Sequence, residues 1–264
     1  ATFVQVTIGA ARLQALFQNR TDLPRGTWLD RTVPLGQSLL MILPAVEDHP
    51  LGAFAAADQF DSGAGHLEET LRVLRDFAFE QARGKDRLLY QPIGVAALIT
   101  PWNWPMNQVV LKVAPALAAG CTVVLKPSEI APLSAMLLAE LIHQAGFPAG
   151  GFNLVNGDGP GVGARLSSHP DVDMVSFTGS TAVGRKIAAL AGQHLKKVSL
   201  ELGGKSAQIV CADADINAAV ESATMSTVLN KGEVCLAGSR LFLHETIQEE
   251  FLAKFKVALE GIRQ

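Results

Sequence analysis

The sequence predicts an α/β fold, a doubly wound and mainly parallel sheet, and two observations carry that reading. After Pro92 the runs IGVAALI (93–99), CTVVLK (121–126), FNLV (152–155) and VDMVSF (172–177) are short, continuous and apolar, as strands buried on both faces are. Between them NQVVLKVAPALAAG, PLSAMLLAELIHQAG and TAVGRKIAALAG have helical periodicity, with glycine at or near their ends and lengths suited to crossovers between parallel strands.

Taken from the start, the first fifty residues say least. ARLQALFQ fits a short helix, and TDLPRGTWLDRTVPLGQ, broken by Pro24, Gly26, Pro34 and Gly36, fits loops. From Leu67 the pattern sharpens: Leu67, Leu71, Leu74 and Phe77 recur at helical spacing among Glu and Arg, which predicts an amphipathic helix ending near Gly84. At the other end LFLHETIQEEFLAKFKVALEGIRQ (241–264) reads as a strand followed by a helix.

Composition narrows the function classes. With 264 residues, 48% of them hydrophobic and 18% charged, the chain is that of a globular protein of one large or two ordinary domains. A formal charge of -3 and no like-charged run supply no footprint for nucleic acid. No apolar stretch approaches the ~18 residues needed to span a bilayer, and the first residues lack a signal-peptide pattern. Cys121, Cys211 and Cys235 are an odd count without short spacing, which fits reduced thiols in a cytoplasm better than disulfides or zinc. No metal site is expected.

In such sheets ligands sit beyond the carboxyl ends of the strands, so the residues there matter most. After the first run TPWNWP offers Asn103 as a fixed amide donor or as a side chain bonded to its own loop. After the second, Lys126 and Glu129 are either a surface ion pair or a hold for a nucleotide ribose. FTGSTAVGRK lacks the hydroxyl of a P-loop, and GDGPGVG lacks the last glycine of a dinucleotide fingerprint, so a phosphoryl-transfer enzyme is not expected. What remains there is a strand, a Gly-Ser-Thr turn and a helix N-terminus that can hold a phosphate, with a plain N-cap at Ser180 or Thr181 as the competing reading. Glu201 closes an apolar strand, either solvated at the sheet edge or as a general base. Cys235, on the polar stretch NKGEVCLAGSR, would by residue type alone be core filling.

Five segments in order, PIGVAALITPWNWP, GCTVVLKPSE, FTGSTAVGRKI, LELGGKS and GEVCLAGSR, with Glu201 and Cys235 34 residues apart, resemble the aldehyde dehydrogenase superfamily. The resemblance covers about residues 51–264 and implies a Rossmann-like sheet. Residues 51–234 would be the dinucleotide-binding domain and 235–264 the opening of a catalytic domain, with 1–50 unassigned. By position it makes Cys235 the nucleophile, Asn103 the oxyanion donor and Glu201 the base that activates hydrolytic water. It places the cofactor on Thr100, Pro101, Trp102, Lys126, Ser128, Glu129, Gly159, Gly179, Ser180, Val183, Gly184, Leu202 and Gly203.

NAD is the expected cofactor, since Glu129 would repel the extra phosphate of NADP, although members that use both exist. The substrate would be a small aldehyde, with Trp102, Trp104, Met106 and Leu236 suggesting an apolar approach, and full-length relatives are dimers or tetramers. Glu233 stands where many members carry Gln, and a carboxylate so near the sulfur is expected to lower activity. Complete members are about twice as long, so a fragment is expected, with weak NAD binding and little turnover from a 28 kDa polypeptide. The alternative is a cofactor-binding module without turnover.

Overall fold

The computed structural model describes residues 57–262, so the helix read in ARLQALFQ and the loops read around Pro24 lie outside the described residues. After Glu201 the chain divides into two compact units.

The first unit opens with helix α1 (Ala57–Asp76), whose Leu67 and Leu71 are buried in a core shared with α2 (Pro105–Ala118). The helix stops at Asp76, short of the predicted end near Gly84. Phe77 instead packs edge-on against Phe79 and Tyr90, with ring centroids 4.9 and 5.1 Å apart. The residues that follow form a hairpin, β1 (Glu80–Arg83) against β2 (Asp86–Leu89). Gly84, at φ 64°, takes the first position of the two-residue turn, and a helix cannot run through a residue in that region.

The four predicted strands are all present: β3 (Val95–Ile99), β4 (Thr122–Lys126), β5 (Phe152–Leu154) and β6 (Met174–Gly179). With β7 (Lys197–Leu202) they form one sheet in the order β5-β4-β3-β6-β7. The pairs β3–β4, β3–β6 and β4–β5 are parallel. Val123 to Lys126 are all buried, as the continuous apolar run predicted. The β6 strand begins later than VDMVSF suggested because Asp173 is spent on a cross-strand clamp: its N–H donates to Val95 O at 2.9 Å and its carboxylate accepts from Val95 N–H at 2.8 Å. The crossovers α2, α3 (Leu133–Gln144) and α5 (Thr181–Gly192) fall where the periodicity put them, and a short α4 (Ala164–Ser168) precedes β6.

The second unit pairs β8 (Ala207–Val210) in parallel with β9 (Arg240–Leu243). Helices α6 (Ile216–Val228) and α7 (Gln248–Glu260) pack on it around Val210, Val220, Ala223, Ile247 and Phe251. The strand and helix read in 241–264 are β9 and α7. The α6 helix starts at Asp215, whose carboxylate accepts from the N–H groups of Asn217 and Ala218 at 2.9 and 3.1 Å. Ile209 and Phe242, register partners across the two strands, are 75% and 52% exposed.

Candidate functional site

The winding of the sheet locates the site. The chain leaves β3 toward β4 and β5, then returns to the far side of β3 for β6 and β7, so the crossovers diverge between β3 and β6. The crevice beyond the carboxyl ends of those two strands is where open α/β sheets bind ligands. Ile99 pairs with Phe177, which brings the next residues, Thr100 and Thr178, side by side. Both are buried, and neither hydroxyl has a hydrogen-bond partner among the described residues. A buried hydroxyl left unpaired costs on the order of 1–3 kcal/mol, so two at one point mark a place for a polar ligand. Of the pair, only Thr100 was singled out from sequence; Thr178 fell just past the run VDMVSF, in the FTGSTAVGRK segment, and its place across the sheet from Thr100 is what distinguishes it.

The neighbouring strand ends add to this edge. After β3, Pro101 and Asn103 are half-buried and Trp102 is 45% exposed, and Pro105 takes the first turn of α2. After β4, the buried Lys126 Nζ holds Glu129 Oε2 at 2.9 Å, and this bond lowers the Glu129 carboxyl below its ordinary range. The pair is lopsided, with the lysine enclosed and the carboxylate 52% exposed, so it differs from a surface ion pair and leaves Glu129 open to a ligand. Ser128 between them is buried.

After β6 the turn is shaped by Gly179, where a Cβ would lie 2.4 Å from the Phe177 ring. Ser180 caps α5, its hydroxyl accepting from Val183 N–H at 3.3 Å; Thr181 is exposed and is not the cap. Gly184 is buried and Val183 exposed. The glycine-rich run after β5 is organised by Asp158, whose carboxylate accepts from Gly161 N–H at 2.8 Å, while Gly159 is exposed with open space beside it.

Glu201 is exposed on β7, the outer strand of this sheet. Lys112, which sequence reasoning passed over as part of an apolar helix, is buried on α2 and donates to Ser176 Oγ of β6 at 2.8 Å. Burial pulls its ammonium down to about 8, partly opposed by the charge of Glu201. A lysine on the inward face of a helix was the available signal. Leu202 ends β7 half-buried and Gly203 is exposed.

Cys235 belongs to the second unit and is exposed, which overturns the core-filling reading. Its segment follows a 3-10 turn, Leu229–Gly232, in which Asn230 and Gly232 have φ 50° and 73°. Beyond it Gly238 N–H meets both the hydroxyl and the carbonyl of Ser226 on α6, each at 3.1 Å. A Cβ at Gly238 would fall 2.1 Å from that hydroxyl, so glycine is required for the tether. Cys121 is buried, and Met106, expected to line an apolar approach, is 3% exposed against Gly63. Among the described residues no three His, Cys, Asp or Glu gather to hold a metal ion, and no helix is long and apolar enough to cross a membrane.

The family model for the aldehyde dehydrogenase family matches residues 52–264. The chain belongs to the aldehyde dehydrogenase family. A Pseudomonas relative named 3-succinoylsemialdehyde-pyridine dehydrogenase is 54% identical over 194 residues, covering 74% of this chain and 41% of the relative. Aldehyde dehydrogenase C of Pseudomonas syringae, solved with NAD+ and octanal, is 36% identical at a TM-score of 0.85, covering 99% of this chain and 55% of that one. Betaine aldehyde dehydrogenase of Staphylococcus aureus, solved with NAD+, is 29% identical at a TM-score of 0.85, covering 99% and 54%. The chain thus spans less than half the length of the curated relatives it matches.

Proposed function

We propose that this chain carries the cofactor edge and the nucleophile of an aldehyde dehydrogenase that oxidises an aldehyde to a carboxylic acid with NAD. The observation that carries the reading is the pair of unpaired hydroxyls, Thr100 and Thr178, at the divergence of the crossovers in a sheet of this family. Residues present there fit the adenosine and phosphate parts of the cofactor. Glu129, held by Lys126, offers a carboxylate to ribose hydroxyls and disfavours a 2′-phosphate, while Gly179, Ser180 and the start of α5 offer N–H groups to phosphate.

In this reading the Cys235 thiolate adds to the aldehyde carbon, and the oxygen that takes up the charge is met by the Asn103 amide and the Cys235 N–H. NAD, when bound, supplies the acceptor for the hydride that leaves this carbon. Glu201 then takes a proton from water, the water oxygen bonds to the thioester carbon, the C–S bond breaks and the thiolate is restored. Residues 51–234 serve as the cofactor domain and 235–264 as the opening of the catalytic domain, in a cytoplasmic dimer or tetramer. The relatives' printed names and ligands, a semialdehyde-pyridine, octanal and betaine aldehyde, support aldehydes broadly as the substrate class.

The test uses Thr100→Val with Thr178→Val, in the protein as its gene encodes it. Removing two unpaired hydroxyls leaves the unliganded protein as stable as before or more so, yet weakens NAD binding about tenfold. Wild-type NAD affinity in the double variant refutes the cofactor site. NAD binding without NADH formation from any aldehyde supports the module without turnover instead.

A further inference from the structure

The turn that carries Cys235 has few fastenings, and one of them is a side chain without a role so far. Ala237 N–H donates to Val234 O at 3.1 Å, which makes 234–237 a four-residue turn with Cys235 and Leu236 at its central positions. Both central residues are exposed, so little packing fixes them. Upstream, Glu233 N–H donates to Asn230 O at 2.9 Å. Downstream, Arg240 joins the strand through its N–H to Ser206 O at 3.2 Å and its Nε to Lys205 O at 2.8 Å. Between turn and strand, Gly238 ties the chain back to α6. We propose that the Ser226 hydroxyl is a positioning group for the nucleophile: it holds Gly238, and through Gly238 the turn that carries the Cys235 sulfur and N–H. This rests on the role given above to Cys235.

The end of α6 supplies the tie. The helix stops at Val228, and the carbonyls of its last turn have no N–H partner within the helix. Leu229 N–H takes Met225 O, and Gly238 N–H takes the next carbonyl, that of Ser226, at 3.1 Å. The same N–H is shared with Ser226 Oγ, also at 3.1 Å, in a three-centre bond. One carbonyl would fix the distance of Gly238 from the helix and leave it free to swing; a second acceptor, on a side chain, fixes the direction as well. Gln208 closes another side. From β8 its Nε2 reaches Ser222 O, one turn earlier on α6, at 3.5 Å, and a Cβ at Gly238 would lie 2.7 and 2.8 Å from its Cδ and Cγ. Gly238 is thus buried between a strand side chain and a helix hydroxyl.

Chemistry sets what this seat contributes. The turn carries both the attacking sulfur and an N–H that meets the oxygen in the proposed reaction, so a shift at Gly238 displaces two reacting groups together. A misplacement of about 1 Å by a change remote from the chemistry can cost about 100-fold in rate. Removing the hydroxyl leaves the carbonyl bond to Gly238 in place, so a smaller loss is expected. Ser226 is neutral and bonds to Gly238, not to the sulfur, so attack of Cys235 on a small electrophile that needs no oriented N–H should be unaffected.

The experiment measures NADH formation from hexanal by the protein as its gene encodes it, as wild type, Ser226→Ala, Ser226→Thr, Ser222→Ala and Cys235→Ala. Beside it run NAD affinity, Tm and alkylation by iodoacetamide, the last taken against Cys235→Ala because Cys211 is exposed too. Ser226→Ala is expected to lower kcat about tenfold, with KM, NAD affinity and alkylation rate within about twofold of wild type. Ser226→Thr keeps a hydroxyl on the same carbon and is expected to restore most of the rate. Ser222→Ala removes an exposed hydroxyl one turn earlier and is expected to leave kcat as it is. Wild-type kcat in Ser226→Ala overturns the positioning role. So does a loss that Ser226→Thr shares, that Ser222→Ala matches, or that comes with a lower Tm and an altered alkylation rate. Hexanal oxidation by Cys235→Ala, or none by the wild type, overturns the reading beneath the proposal, and the positioning role with it.

Discussion

The two units are built to different standards of enclosure. In the first, Ala97, Val123, Leu125 and Val175 on three neighbouring strands are 0% exposed, and helices supply a continuous core. In the second, two strands share a small core, and Ile209 and Phe242 face outward at 75% and 52% exposure. Strands of parallel sheets are ordinarily covered on both faces, so the second unit is the more loosely held element on its own terms. Most of the residues proposed for the cofactor follow strands of the five-stranded sheet, whereas Cys235 rests on a short segment tethered through Gly238 and Ser226.

The largest expected effect strikes the less enclosed unit without touching the other. Cys235→Ala should reduce NADH formation to background while calorimetry finds NAD affinity retained; turnover that survives the substitution removes the nucleophile from Cys235. Next in size is Phe251→Ala, which empties the one fully buried aromatic of the second core and should cost about 3–5 kcal/mol. Amide hydrogen exchange should then quicken in β8, β9 and α6 and stay slow in β3 to β6. Equal loss of protection in both units would erase the distinction drawn between them.

A smaller effect sharpens the account of the first unit. Lys112 has a folded-state pKa of about 8 against an ordinary 10.5, so the unfolded chain binds the extra proton between those values. Stability should therefore rise as pH climbs from about 8 toward 10.5, and Lys112→Met should remove its share of that rise, read as Tm against pH. An unchanged profile in the variant means the ammonium is not desolvated. The smallest is Ser180→Ala, which deletes the cap of α5 and should cost about 1 kcal/mol in denaturant unfolding. No loss would mean that the 3.3 Å contact contributes nothing and leaves the hydroxyl to a ligand alone.

Much of the first unit was legible because its signals are local. Strands β3, β4, β5 and β6 announced themselves as short apolar runs, and TAVGRKIAALAG coincides with α5 residue for residue. The α1 end was misread because Phe77 continued a helical spacing, while the hairpin that claims the next residues is fixed by Gly84 and by a three-ring cluster. Met106 was misread as lining because residue type does not say which way a helix faces. Lys112 and Thr178 escaped notice for the same reason, since each takes its meaning from a partner strand or helix.

The sequence by itself determined the order of strands and helices, the family and the residue types at each strand end, because periodicity, turn residues and motif order are properties of neighbours along the chain. Tertiary structure alone decided that Thr100 and Thr178 lie side by side with no hydroxyl partner among the described residues, that Lys112 finds Ser176 from 64 residues away, and that Asn107 joins His66 across 41. Those facts depend on which elements the sheet order brings together, and desolvation acts on a side chain only once they have closed around it.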